Sequence, residues 1–193
     1  MIAPKNQRTL LTNYMKKHLF WVDLEMTGLD ETRDHILEIA VAITDLELKI
    51  VHEYQKVVYQ SQEIIDGMND WCKENHGRSG LTAEIPSGTP LDEVEKQVIA
   101  LCDQFFKKDD RIVIVGNSIG NDRRFIDKYM PHFSKRLHYR MIDVSSFKEI
   151  YRERYGVKFE KKNAHRALGD IRESVRELEH YLSFVKIPEK PQK

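Results

Sequence analysis

HLFWVDLEM, residues 18–26, alternates its side chains in the manner of a β-strand. Phe20, Val22 and Leu24 fall on one face, and Trp21, Asp23 and Glu25 on the other. TGLD follows as a turn, in which Gly28 is expected to take an unusual backbone angle. Two further strand-like runs come next, HILEIAVAITD (35–45) and LKIVHEYQKVVY (48–59). The short link between them, near Asp45 to Glu47, suits antiparallel neighbours.

Beyond Ser61 the periodicity changes to that of a helix. Ile64, Ile65, Met68, Trp71 and Cys72 recur at helical spacing, and the segment ends near His76 and Gly77. A second helix is expected from Thr89, with Pro90 at its first position and Leu91, Val94, Val98 and Leu101 on its buried face. RIVIVGNS (111–118) is a near-continuous β-branched run, the pattern of a strand covered on both faces. A helix around Asp122 to Met130 follows, stopped by Pro131. RMIDVSSF supplies a last short strand and leads into a helix through Ile150 and Tyr151. The basic loop VKFEKKN precedes a final helix, roughly 164–185, with Leu168, Ile171, Val175, Leu178 and Leu182 as its apolar stripe. The order β-β-β-α-α-β-α-β-α-α predicts one α/β domain around a mixed sheet with helices on both faces. Residues 1–17 and 187–193 read as tails, leaving 18–186 as the domain.

At 193 residues the chain is long enough to bury a core without disulfides or a structural metal. Lys plus Arg number 31 and Asp plus Glu also 31, so the formal net charge is zero. That balance argues against a protein that coats long nucleic acids through a broad basic surface. Short nucleotides, which need only local phosphate contacts, remain compatible. Cys72 and Cys102 lie far apart and match no zinc or redox spacing, so they read as core residues of a reducing compartment. No apolar run is long enough to span a membrane. There is no GxxxxGK[ST] loop, which excludes a P-loop NTPase. Residues 1–22 contain no acid and carry Lys5, Arg8, Lys16 and Lys17. Serine is absent there and Pro4 interrupts the segment, so a loose tail on a cytoplasmic protein and a mitochondrial targeting remnant stand as alternatives.

Three clusters carry chemistry. Asp23 and Glu25, two apart in a strand, project from one face, and such a pair of like charges calls for a cation. Oxygen-only ligands suit Mg²⁺ or Mn²⁺ better than zinc. The bland alternative is a solvated pair on an edge strand. In GNSIGNDRRF (116–125), Asp122 is either an N-terminal helix cap or a carboxylate projecting toward the first pair. In AHRALGDIRESV (164–175), His165 and Asp170 are either a solvated pair at a helix end or part of the same site.

Taken together and in order, Asp23, Glu25, Asp122, His165 and Asp170 resemble the DEDD-type 3′→5′ exonucleases of the histidine-containing subgroup. VDLEMTGLD, DWCKENHGRSGLT, GNSIGNDRRF, LHYRMIDVSS and AHRALGDIRESV narrow the resemblance to the oligoribonuclease family, from about Phe20 to Tyr181. The likeness implies a ribonuclease H-like fold, with three antiparallel strands followed by helix-connected ones. It implies that Asp23, Glu25, Asp122 and Asp170 hold two divalent ions, Mg²⁺ or Mn²⁺, and that His165 is the general base. Leu29 then corresponds to an apolar wedge between bases, and Trp71 and His76 to positions near the substrate. Ser118 matches a contact to the terminal phosphate. Tyr139, Arg140, Ser145 and Ser146 resemble a segment contributed by a second subunit, which implies a homodimer acting on short RNA and dinucleotides. The residue-level alternatives are plain: Leu29 packed on the core, Trp71 on a buried helix face, and Tyr139 and Arg140 as ordinary surface residues. Gly169 departs from the family pattern, in which a second acid often precedes Asp170. Two rivals stand beside this reading, a related exonuclease acting on longer RNA or DNA and an inactive nucleotide-binding module. The first calls for a basic track. The second calls for a lost acid or histidine.

Overall fold

The computed structural model describes residues 18–160 and 166–186. Its centre is a five-stranded sheet in which β1 (Leu19–Met26), β2 (Ile36–Thr44), β3 (Ile50–Val57), β4 (Ile114–Gly116) and β5 (Ile142–Asp143) lie in the order β3-β2-β1-β4-β5. β1, β2 and β3 are antiparallel neighbours, whereas β4 joins β1, and β5 joins β4, in parallel. The strand bearing Asp23 and Glu25 is therefore central, not an edge.

The alternation in β1 sorts its side chains as expected. Phe20, Val22, Leu24 and Met26 enter one core, and Trp21 enters the other. The first core is closed by α4 (Leu91–Phe105), α5 (Gly120–Tyr129) and α6 (Pro131–Ser134) through Val98, Phe125 and Phe133. The second is closed by α7 (Val144–Tyr155) and α8 (Ala167–Leu182) through Val144, Ile171, Val175 and Leu178. Ala40 and Ala42 on β2 give Trp21 and α8 room to approach the sheet, and the Trp21 indole donates to Thr44 Oγ1 at 3.1 Å. Both faces are covered, so β2 is buried along its whole length, including Glu38.

Several expectations shift. The single helix after Ser61 is two, α1 (Gln62–Asp66) and α2 (Asp70–Arg78), each started by its own side-chain cap, Ser61 and Asn69. A further turn, α3 (Leu81–Glu84), follows at once. Pro90 is the N-cap residue of α4 and not its first helical residue, so the helix starts one place later than predicted. β4 is shorter than the β-branched run because Ile112 bridges instead to Leu137. Pro131 ends one helix and begins the next, since its missing N–H is harmless at a first position. In α8 the buried stripe is Ala167, Ile171, Ser174, Val175, Leu178 and Tyr181, and Leu182 is exposed. Gly28 has no left-handed backbone angle; it is needed because a Cβ there would stand 2.3 Å from Asp34 Oδ2.

Candidate active site

In an antiparallel pair, directly opposed residues share a face. Asp23 opposes Ala40 and Glu25 opposes Glu38, so both site carboxylates leave β1 on the side covered by α8. There the first turn of α8 presents Asp170. One oxygen from each of Asp23, Glu25 and Asp170 lies within 4.8 Å of the others. Residues 23 and 170 share no segment of chain; the sheet and the helix packed on it bring them together.

Asp122 belongs to the same neighbourhood but is used differently. It sits in the first turn of α5, whose N-cap residue is Ile119, so the simple cap reading fails. Its Oδ1 instead accepts the Leu24 N–H at 2.9 Å, across from β1. Desolvation drives the Asp122 carboxyl above its ordinary range, and the Leu24 N–H draws it partly back. Glu25 is perturbed in the same direction. Burial first, and then Asp170, Glu38 and Asp122, push it from 4.5 to about 8. Oxygen donors gathered this closely, with one carboxyl that resists ionising beside the others, fit a hard divalent cation.

His76 flanks the carboxylates from α2. Its side chain is buried, with Nε2 2.9 Å from Met26 O and Nδ1 3.8 Å from Glu25 Oε2. Beside it opens a cavity of about 480 Å³, within the usual range for small-molecule sites. Glu25, Leu29, Trp71, Cys72 and His76 are among its lining residues. Leu29 is 65% exposed and Trp71 is 63% exposed, so neither is packed in the core. Leu29 rides on the turn after β1, where Asp34 accepts from the Asp30 N–H (2.9 Å) and the Thr27 hydroxyl (3.1 Å). The Leu29 carbonyl also accepts from Arg124 of α5 at 3.4 Å.

A second group forms at the carboxyl ends of β4 and β5. The Ser118 N–H donates to Asp143 Oδ1 and Ser145 Oγ, both at 3.0 Å. Ser118 takes a left-handed backbone, φ 50°, to make this turn. Ser145 donates in turn to Asn117, which reaches Ser174 and Glu177 on α8. Ser146 is exposed. Tyr139 and Arg140 are exposed as well, with the His138 ring 4.4 Å and the Arg140 guanidinium 5.2 Å from the Tyr139 ring. Neither lines the cavity beside Glu25. His165 lies outside the described residues, one position before Arg166.

Sequence reasoning passed over Glu38. It is a lone acid inside an apolar strand, and nothing local marks it. Yet it is fully buried, opposite Glu25, and bonded to Gln55, Arg166 and the Ala167 N–H.

The RNase T exonuclease family profile matches residues 20–178. The human mitochondrial oligoribonuclease is 44% identical over 188 residues, covering 93% of this chain and 79% of the human one. An oligoribonuclease of the bacterium Leifsonia xyli is 44% identical over 168 residues, covering 84% and 81% respectively. Among solved structures, Escherichia coli exonuclease I in its zinc-bound complex with single-stranded DNA superposes with a TM-score of 0.67 at 13% identity. That match covers 88% of this chain, which spans 41% of exonuclease I. The nuclease domain of 3′hExo, a DEDDh family member bound to rAMP, matches with a TM-score of 0.63 at 16% identity, covering 88% of this chain and 94% of that domain. These two likenesses show the fold, a ribonuclease H-like mixed sheet.

Proposed function

Since the chain belongs to the exonuclease family, among its oligoribonucleases, and is a 3′→5′ exoribonuclease, we propose that its substrates are very short RNAs, down to dinucleotides. The observation that carries the reading is the convergence of Asp23, Glu25 and Asp170 beside a cavity of about 480 Å³ edged by Leu29 and Trp71.

Asp23, Glu25 and Asp170, with Asp122 as the fourth acid, would hold two divalent ions, Mg²⁺ or Mn²⁺. Bound there, such ions make a water nucleophilic near neutral pH and offset charge on the leaving oxygen. Asp23 stands on the central strand, which would hold its carboxylate in place as a ligand. Asp122 fixes the depth of the site by tying α5 to the Leu24 amide. His165 is the general base that takes the proton from the attacking water, as imidazole titrates near the working pH. Leu29 and Trp71 present apolar surface to the bases, a mode of contact that tolerates any base. His76 shapes the cavity wall next to Glu25, and Ser118, placed by Ser145, meets the terminal phosphate. Ser146, Tyr139 and Arg140 serve the site of a second copy in a homodimer, Tyr139 stacking on a base and Arg140 holding the 5′ phosphate. Their exposure, away from the cavity of their own chain, supports that assignment. A closed end at the 5′ phosphate restricts the site to short chains.

No described helix is long and apolar enough to cross a membrane. We place the protein in the cytoplasm, with the mitochondrion as the alternative that an import assay on residues 1–17 decides.

The test is a length series of 5′-labelled RNAs from two to about twenty nucleotides with Mg²⁺ or Mn²⁺, following the loss of each full-length RNA. Fast cleavage of the dinucleotide that falls with length supports the reading. Equal rates at all lengths move the protein to a general exonuclease.

A further inference from the structure

Of the three acids that converge, Asp23, Glu25 and Asp170, Asp170 alone comes from the carboxy-terminal helix, and what fixes that helix end is unusual. The N-cap residue of α8, Arg166, has no capping side chain of its own. Glu38 on β2 does that work across the molecule: its Oε2 accepts the Ala167 N–H at 3.1 Å. The Arg166 guanidinium grips the same carboxylate, with Nη2 2.7 Å and Nε 3.1 Å from Oε1. Its other edge meets Glu84 of α3, with Nη1–Oε1 at 2.8 Å and Nη2–Oε2 at 3.2 Å. Gln55 on β3 adds a bond to Glu38 at 2.7 Å. One guanidinium thus joins β2, α3 and the start of α8.

The consequence for the site follows from two short connections. Glu38 is the cross-strand partner of Glu25. Asp170, one helical turn beyond Arg166, donates its N–H to the Arg166 carbonyl at 3.0 Å. The clamp therefore links the strand carrying Asp23 and Glu25 to the turn carrying Asp170 through a few rigid contacts. It also explains why Glu38, on the same sheet face as Glu25, does not join the carboxylate group: its oxygens are turned to Arg166, Gln55 and Ala167. A carboxylate buried this deeply without such donors is costly, and an unpaired one here would add repulsion beside Glu25.

We propose that Arg166, held between Glu38 and Glu84, is a positioning residue that sets the distance of Asp170 from Asp23 and Glu25, and with it the affinity of the site for divalent ions. The proposal rests on reading those three acids as a metal cradle. Lysine in place of Arg166 keeps the charge but loses the planar fork, so it cannot hold both glutamates in register. Outer residues that orient ligands commonly change metal affinity 10–100-fold when altered.

The experiment is a Mn²⁺ titration of the full chain, reading free Mn²⁺ by electron paramagnetic resonance, with a thermal melt of each variant. Arg166→Lys should bind Mn²⁺ about tenfold more weakly than the wild type. Glu84→Gln, which removes only the exposed arm, should weaken it by less and guards against an Arg166 variant that fails to fold. Asp23→Ala is the control on the cradle itself. If Asp23→Ala binds Mn²⁺ as the wild type does, the cradle reading is wrong. If Asp23→Ala loses the ion but both clamp variants bind it at wild-type affinity, whatever their melting temperatures, the clamp supports only the fold and the proposal is overturned.

Discussion

Glu25 pits stability against function within one side chain. Burial and three neighbouring acids lift it from 4.5 to about 8. Between those pH values the folded chain binds more protons than the unfolded one, so metal-free stability must fall as pH rises through that window. Below it both states are protonated, and the effect ends. Melts of the protein in chelator should therefore give a lower Tm at pH 8 than at pH 5.5. For a chain of this length each kcal/mol lost corresponds to about 2–4 °C. Glu25→Gln removes one ionisable group: its metal-free melt should lose part of this slope, with buried Asp122 keeping its own share, and should exceed the wild type at pH 8, while exonuclease activity disappears. A Glu25→Gln protein with the same slope as the wild type would place the pH dependence elsewhere. Mn²⁺ should reverse the trend in the wild type, raising Tm more at pH 8 than at pH 6, because protons compete with the ion for the same oxygens. The role proposed for His165 belongs to a later stage, proton removal from the attacking water. His165→Ala should lower turnover by about 10²–10⁴ with Mn²⁺ affinity retained, and an unchanged rate across pH would remove it as the base.

The elements differ in how plainly the sequence announces them, and the reason is physical. β1 was legible because Phe20, Val22 and Leu24 alternate with Trp21, Asp23 and Glu25, and alternation maps directly onto the two faces of a sheet. Asp23 and Glu25 could be paired by the same rule. The break between α1 and α2 was not legible from periodicity, since Ile65, Met68 and Cys72 pack in a single cluster across it. Only the cap-type residues Ser61 and Asn69 betray two starts. Glu38 was invisible because its meaning lies in Arg166, 128 residues away. The turn after β1 was read for the wrong property of Gly28, conformational freedom in place of space. That correction is testable. A methyl group at Gly28 must displace Asp34, which holds the Asp30 N–H and the Thr27 hydroxyl and so shapes the turn that presents Leu29. Gly28→Ala should cost about 1–3 kcal/mol of stability, the range for overpacking. It should also raise the KM for a dinucleotide, with Mn²⁺ affinity unchanged. Unaltered KM in a folded variant would mean that the turn does not place the wedge.

At the scale of the whole molecule, one chain supplies the acids and the cavity, yet leaves Tyr139 exposed with Arg140 beside it. A site completed by the partner predicts more than a dimer on sedimentation. It predicts that two inactive proteins can repair each other. Asp23→Ala lacks part of the cradle but keeps a sound Tyr139–Arg140 segment, and Arg140→Ala has the reverse defect. In a mixed dimer, the site built on the acids of the Arg140→Ala chain receives Arg140 from the Asp23→Ala chain and is whole; the other site carries both defects. Random exchange makes half the dimers mixed with one intact site each, so activity on a dinucleotide should return to roughly a quarter of the wild-type level. Exchange is to be driven by dilution and reconcentration and verified by tagging one parent. If mixing restores nothing although mixed dimers form, Arg140 acts within its own chain or not at all, and the limit on substrate length must then come from the cavity beside Leu29 and Trp71 alone.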